Sequence, residues 1–457
     1  MKNYFDSFIR GDWKSGLAVF LVALPLCLGI ALASGAPILS GLIAGISGGI
    51  IVTLFSNSSL SVSGPAAGLT VIVYNAIQDL NNYNLFLGAV IIAGIIQISL
   101  YFLKLGIIGN FFPSTVIKGM LSAIGVVITL KQIPHALGDD FDFEGDYEFQ
   151  QLADNKNTFD EIWYAINQVE MGALIISAVG LIIFFNWHRL EKFKIGKALP
   201  ASLIVVLFGV FANMAFAQFI PNWYLGNSPQ HMVQIPSFSN FGELSANFFH
   251  FDTAIFTNPI VITTGITIAI VASLETLLAL EATDLLDPQK RISDPNKELL
   301  AQGLGNSFSG FFGGIPVTSV IIRSSTNVYA GAKTKASSFF HGILLLFALF
   351  FIGSYLNLIP LASLASILLY TGYKLASPTI FKSMFKKGWI QFIPYISTVL
   401  FVVFIDLLWG IFLGTFIGLI FVLYQDYHSL INYQQDGSIH LIKFKKDATF
   451  LHKNAVK

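Results

Sequence analysis

Two short stretches broken by glycine and proline interrupt an otherwise apolar chain of 457 residues: Ser63-Gly64-Pro65-Ala66-Ala67-Gly68-Leu69-Thr70 and Gly313-Gly314-Ile315-Pro316-Val317-Thr318-Ser319. Each follows a loop-like break and leads into apolar sequence. Proline close behind glycine or serine suits the first position of a helix, so each reads as a half-helix that begins inside a membrane. A helix start carries unpaired N–H groups and a partial positive charge. Two starts aimed at one point make an anion site without a formal charge; the competing reading is a pair of ordinary turns. A third feature is Glu275, with apolar Val271, Leu278 and Ala279 at neighbouring helical positions. A lone ionised carboxylate at that depth costs several kcal/mol, which marks it as functional by default. A proton taken up there can travel with an anion, and the structural alternative is a fixed salt bridge to Arg323. Sodium is the weaker coupling ion, because no hydroxyl or carboxylate stands three or four residues away and Ala279 occupies one of those places.

The elements that must position these groups are membrane helices. The chain is 54% hydrophobic and 11% charged, against roughly 25% charged in soluble domains. Its formal net charge is zero, which argues against a nucleic-acid partner. One cysteine, Cys27, excludes an internal disulfide and any cysteine-based metal site, and the eight histidines have no metal-ligand spacing. We expect no metal and no cofactor. A bilayer needs about 20 apolar residues per helix. Fourteen candidate segments start near Ser15, Ala36, Ser63, Leu85, Ile108, Met171, Leu199, Pro259, Leu299, Pro316, Ser337, Leu358, Ile390 and Leu407. The fold class expected is an all-α polytopic membrane protein.

Lysine and arginine collect on cytoplasmic loops. With Arg10 and Lys14 inside, Lys104, the basic cluster in residues 189–197, Lys290, Arg291, Lys297, Lys333, Lys335, Lys382, Lys386, Lys387 and the basic C-terminus also fall inside. The acidic loop 139–161 and the loop 221–258, which has no lysine or arginine, fall outside. Both termini are then cytoplasmic, in a bacterial inner membrane. Seven and seven spans place the broken stretches third in each half. An odd number per half requires an inverted second half, the symmetry of an alternating-access carrier. Stripes Gly41/Gly45/Gly49 and Gly410/Gly414/Gly418 suit close helix packing, the second with a possible use in dimerisation. Near the end, residues 438–444 alternate like a strand. One strand cannot fold alone, so residues 429–457 read as the start of a cytoplasmic domain cut off soon after it begins.

At these positions the chain resembles the SulP family of inorganic-anion transporters, related to the SLC26 anion exchangers, over essentially all of residues 10–425. The resemblance rests on Gly11-Asp12 with Leu24-Pro25, on Ser63-Gly64-Pro65 through Thr70, and on Glu275-Thr276-Leu277-Leu278 through Asp284. It rests most specifically on Pro316-Val317-Thr318 followed by Arg323, Asn327 and Ala330-Gly331-Ala332-Lys333-Thr334, and it extends to Asp406-Leu407 with Gly410. It implies a 7+7 inverted repeat within residues 1–428, with spans 1–4 and 8–11 as a core domain and spans 5–7 and 12–14 as a gate domain. It also implies homodimers and a C-terminal STAS domain, to which 429–457 would belong.

On that frame the substrate-binding candidates are the Thr70 hydroxyl, the backbone N–H groups around Leu69, Val320, Ile321 and Ile322, Arg323 as an anion attractor, and Cys27, which the resemblance places at the pocket wall after Leu24-Pro25. The family often carries a hydroxyl where this chain has Ile322, which shifts work to backbone donors. Glu275 is the ion-coupling candidate; Asp284 matches a family acid, and Glu281, Asn327 and Lys333 read as helix-end groups. The function expected is secondary active transport of a small inorganic anion, bicarbonate or sulfate, by an elevator mechanism in the lipid bilayer, with a proton coupled through Glu275. The alternatives are an uncoupled channel or uniporter on the same fold, sodium-coupled bicarbonate uptake, and a nucleobase carrier. No enzyme motif is present at bilayer depth.

Overall fold

The computed structural model describes residues 11–107, 112–140, 157–190, 200–234, 248–250, 254–405, 407–428, 431–436 and 439–444. Arg10, Asp406, most of the loop 139–161, much of the loop 221–258, and the basic residues of 191–197 and of the C-terminal tail lie outside the described residues.

A helix begins near each of the fourteen expected starts. In chain order these are α1 (Trp13–Ala33), α2 (Ile38–Ile46, continued by a π-helical stretch Ser47–Val52 and a last turn to Phe55), α3 (Thr70–Leu80), α4 (Tyr83–Phe102), α5 (Ser114–Leu137), α6 (Thr158–Asn167) and α7 (Met171–Leu190). The chain continues with α8 (Ala201–Phe219), α9 (Pro259–Leu286), α10 (Pro295–Phe311), α11 (Ile321–Tyr329), α12 (Ala336–Phe347), α13 (Leu361–Leu375), α14 (Pro378–Lys386), α15 (Trp389–Phe404) and α16 (Leu407–His428). Among the described residues, six helices are long and apolar enough to cross a membrane, or seven if the bent pair of α6 and α7 counts as one span. Others are short or broken, and these include α3 and α11, which carry several of the candidate site residues.

Both sequence breaks form strands before they form helices. β1 (Ser63–Pro65) pairs antiparallel with β2 (Val317–Ser319), in the register Ser63–Ser319, Gly64–Thr318 and Pro65–Val317. The helices start later, at Thr70 after a 3₁₀ turn Ala67–Leu69, and at Ile321. Pro65 and Pro316 therefore do not occupy the first helical positions expected of them. Non-helical backbone at membrane depth must satisfy its polar groups within the protein, and each three-residue segment does so on the other.

The chain divides into two compact units. One comprises residues 1–111 and 124–375, and the other residues 112–123 and 376–457. In the first, α10 packs along α4, α9 packs on α4, and α12 lies against α1. An apolar cluster that includes Leu69, Val73, Phe86, Ile268, Ala272 and Val317 surrounds the strand crossing. The Gly41/Gly45/Gly49 stripe performs as expected: a Cβ at Gly41 would meet the Cys27 carbonyl oxygen, and one at Gly49 would meet Gly342 Cα. In the second unit, Gly410 packs on Val402, Gly414 on Thr398 and Gly418 on Pro113 and Val116. That stripe is consumed inside the chain, which corrects its suggested use in dimerisation. The terminal hairpin pairs β3 (Ile431–Asp436) with β4 (Ile439–Phe444); the alternating segment has a partner strand that its sequence reading lacked.

One polar knot in the first unit ties the end of α5 to residues beyond it. Asp140 is buried and accepts from His135 Nδ1 and His231 Nδ1, each at 2.7 Å. Nearby, Lys131 and Glu161 pair at 3.2 Å. The hydrogen bond to Asp140 raises the His231 pKa above its ordinary value of 6.5. The stabilisation from this contact is complete below that value and fades as pH climbs through the raised folded value. The thermal stability of the purified protein is therefore expected to fall as pH rises above about 6.5. In His231→Gln that slope should flatten, and superimposable profiles for the two proteins would rule the linkage out.

Candidate functional site

The crossing of β1 and β2 is held by side chains from three helices. From α10, Asn306 Oδ1 accepts the Val317 N–H at 2.6 Å, and its Nδ2 donates to the Val317 carbonyl at 3.0 Å and to Gln97 Oε1 at 2.8 Å. Gln302 Nε2 donates to Ser63 Oγ at 2.7 Å and to Glu298 Oε1 at 3.1 Å. Glu298, 1% exposed, also accepts from Ser56 Oγ at 2.5 Å. From α9, Thr276 Oγ1 accepts the Ser319 N–H, and from α11, Ser324 Oγ accepts the Val62 N–H. Asn327 Nδ2 reaches the Leu60 carbonyl, which confirms its structural reading. This α10 clamp was not among the residues expected at the site. Its signal is nevertheless present, as Glu298, Gln302 and Asn306 at a spacing of four, a polar stripe along one helix face.

Asn306→Ala strands a buried N–H and a buried carbonyl on Val317, at about 1–3 kcal/mol each. The expected result is a large drop in thermal stability together with lost transport, measured on the purified protein; a melting temperature equal to wild type would contradict the clamp.

Two of the predicted site residues pack on glycines of the β1–3₁₀–α3 segment, Arg323 on Gly64 and Glu275 on Gly68. Arg323 is fully buried with its guanidinium against Gly64: a Cβ there would stand 2.0 Å from Nη1. Arg323 Nη2 donates to Cys27 Sγ at 3.3 Å, so α1 and α11 meet as the resemblance implied. Nε and Nη1 have no hydrogen-bond partner, and among the described residues no carboxylate pairs with this guanidinium. The alternative salt bridge from Arg323 to Glu275 or Asp284 is therefore not formed. Asp284 instead accepts from the Ser293 N–H at 2.6 Å and the Ser293 hydroxyl at 2.8 Å, tying the end of α9 to the following loop. Glu281 lies one turn earlier on α9.

Glu275 packs on Gly68. A Cβ on Gly68 would lie 3.2 Å from its Oε1, so the carboxylate rests against the 3₁₀ turn that opens α3. Thr70 is the first residue of α3 and half-buried. Ile321, Ile322 and Arg323 are the first three residues of α11, the positions whose N–H groups have no carbonyl inside their own helix. Two backbone groups expected at the site are already engaged. Val320 N–H donates to the Val62 carbonyl at 2.9 Å, and Leu69 N–H to the Ala66 carbonyl at 3.3 Å. Ile322, 6% exposed, keeps this edge apolar.

A second buried group escaped sequence reasoning. His341 on α12 is fully buried beside Gly49, and neither ring nitrogen has a hydrogen-bond partner. Motifs far apart in the chain also meet. Asp12 accepts from the Lys333 N–H at 2.7 Å and from the Thr334 hydroxyl at 2.5 Å, joining the start of α1 to the end of the α11 segment.

Comparison with known proteins bears on this arrangement. The sulfate permease family model matches residues 9–398. The chain belongs to the sulfate permease family. Among its relatives, the putative sulfate transporter YvdB of Bacillus subtilis is 27% identical over 456 residues, covering 96% of this chain and 80% of that one. The bicarbonate transporter BicA of Picosynechococcus sp. is 27% identical over 424 residues, covering 90% and 69%. The solved transmembrane domain of a cyanobacterial BicA shares the fold, with a TM-score of 0.59 at 20% identity over 90% of this chain and 97% of that one. SLC26A9 does so with a TM-score of 0.64 at 18% identity, over 95% and 69%. Members of the sulfate permease family and these neighbours are membrane transporters of anions, not enzymes. The resemblance read from the motifs thus holds across nearly the whole chain.

Proposed function

We propose that this protein is a secondary active transporter of bicarbonate or sulfate, moved by an elevator-type cycle and coupled to a proton through Glu275. The observation that carries this reading is the placement of Glu275 on Gly68 and Arg323 on Gly64, four residues apart on one broken segment. The two helix starts supply oriented N–H groups for the anion oxygens. The Thr70 hydroxyl adds a donor, and Cys27 lines the wall beside Arg323. Arg323 raises the local anion concentration through its field. Protonation of Glu275 removes a negative charge next to the α3 start, so proton and anion bind in concert. In the proposed assembly, spans 1–4 and 8–11 move against spans 5–7 and 12–14 within a homodimer. Both termini face the cytoplasm of a bacterial inner membrane, and residues 429–457 open a STAS-like domain.

The test is uptake of radiolabelled bicarbonate and of sulfate into proteoliposomes, with and without an inward proton gradient, for wild type and Glu275→Gln. Gradient-driven uptake of one anion, uncoupled by Glu275→Gln, is the expected result. Uptake indifferent to both the gradient and the substitution would replace the coupled carrier by a uniporter.

A further inference from the structure

Glu298 and Gln302 stand one turn apart at the start of α10, and both are buried. The Glu298 carboxylate accepts from the Ser56 hydroxyl and from Gln302 Nε2, and among the described residues no cation pairs with it. Lys335 and Asp284 are the charged groups near enough to act on it. Lys335 donates instead to the Leu54 and Ser56 carbonyls, and Asp284 accepts from Ser293. A carboxylate enclosed in this way and held only by neutral donors is a group that neutralises by taking a proton. The exposed Lys297 precedes it, so bulk water is close. We infer that Glu298 is a second proton site, and that Gln302 relays its protonation to β1.

The relay is an amide with one atom to spare. Gln302 Nε2 donates both to Glu298 Oε1 and to Ser63 Oγ, while its Oε1 is buried without a hydrogen-bond partner. A buried oxygen in that state needs an explanation. The observed orientation suits an ionised Glu298, which can only accept. A proton from bulk water converts the carboxylate to a carboxylic acid, which has an O–H to donate. A half-turn of the amide then presents Oε1 to that O–H and to the Ser63 hydroxyl, which changes from acceptor to donor. Either orientation leaves one amide atom unpaired, so the two are balanced and the proton selects between them. Ser63 precedes Gly64, on which Arg323 packs, and stands opposite Ser319, two residues before α11. The proton therefore acts on both strands of the crossing.

The relay deepens the transport reading and rests on it for its effect on the anion, whereas proton binding itself is read on the purified protein. Infrared pH-difference spectra of the full chain, with isotope-labelled glutamate, should show a protonated-carboxyl C=O band that Glu298→Gln removes and Glu275→Gln keeps. Equilibrium exchange of labelled sulfate in proteoliposomes, with pH equal on both sides, gives the consequence. At high pH, Glu298→Gln, the uncharged isostere, should show a KM at least about fivefold below wild type, a coupling of ordinary size. The two proteins should converge as pH is lowered. On a Gln302→Met background, Glu298→Gln should leave KM unchanged. A wild type without a titrating glutamate band, or a band untouched by Glu298→Gln, would overturn the proton site. Superimposable KM profiles for wild type and Glu298→Gln, or a fivefold gap that persists in Gln302→Met, would overturn the relay. No gradient enters these measurements, so a failure of coupling through Glu275 leaves their outcome separate.

Discussion

Arg323→Met is expected to cut anion uptake by about 100-fold, the equivalent of about 2.7 kcal/mol, while leaving the purified protein as stable as wild type or more so. The two effects have one cause. The guanidinium is fully buried, donates one hydrogen bond to a sulfur, and has two nitrogens without partners. A buried ion so poorly compensated opposes folding. Exchanging buried ions for apolar side chains of similar volume is often neutral or stabilising by about 1–4 kcal/mol. On the proposed transport reading, a group that costs stability and is nevertheless present acts on the anion. Methionine fills the space against Gly64 and Cys27 and removes the charge. Proteoliposome uptake and thermal unfolding on the same preparations check the pair of outcomes. A variant that unfolds early yet transports normally would make Arg323 structural instead.

Gly64→Ala is expected to destabilise the protein and to abolish uptake, and its effect should shrink when Arg323 is also replaced. The added methyl would sit 2.0 Å from Nη1 and 2.7 Å from Cζ of Arg323. A guanidinium is ordinarily a mobile end that can swing away. Here it is enclosed, with the Gly45 and Cys27 side of α1 and α2 behind it. Either Arg323 or the β1–β2 pairing must shift, and overpacking of this kind costs about 1–3 kcal/mol. In the double variant with Arg323→Met the flexible thioether can give way. The coupling between the two substitutions should therefore reach about 1 kcal/mol in unfolding measurements. Strict additivity would mean that the clash is relieved elsewhere.

Both predictions depend on a contact between positions 259 residues apart, and that fact marks where sequence reading stops. The span starts were legible because bilayer thickness imposes a length and a composition on each segment, so the helices at Met171, Pro259 and Leu407 begin where the apolar sequence does. Glu275 was legible because a carboxylate is rare in such a segment. The two broken stretches were legible as a pair, but their local form was not. Proline after glycine or serine favours a helix start by a preference of a few tenths of a kcal/mol to about 1 kcal/mol. Satisfying a strand's worth of backbone inside a membrane outweighs that, and the partner that satisfies it is the other stretch. The α10 clamp shows the same limit from another side. A spacing of four in Glu298, Gln302 and Asn306 announces a polar face, whereas only the packed fold shows that this face grips Ser63 and Val317. His341 carried no signal, since a lone histidine on an apolar helix reads as core.

By itself, then, the amino-acid sequence determined the solvent this chain lives in, the rough starts of most of its helices and its family, and it nominated candidate residues for an anion site. Each of these follows from composition, length or a local motif. The tertiary structure alone decided that the breaks cross as strands, that Arg323 packs on Gly64 and Cys27 with no carboxylate partner among the described residues, and that an aromatic-lined cavity opens beside Lys14. Those are pairings between distant segments, and nothing in a segment's own residues states which distant neighbour will satisfy it.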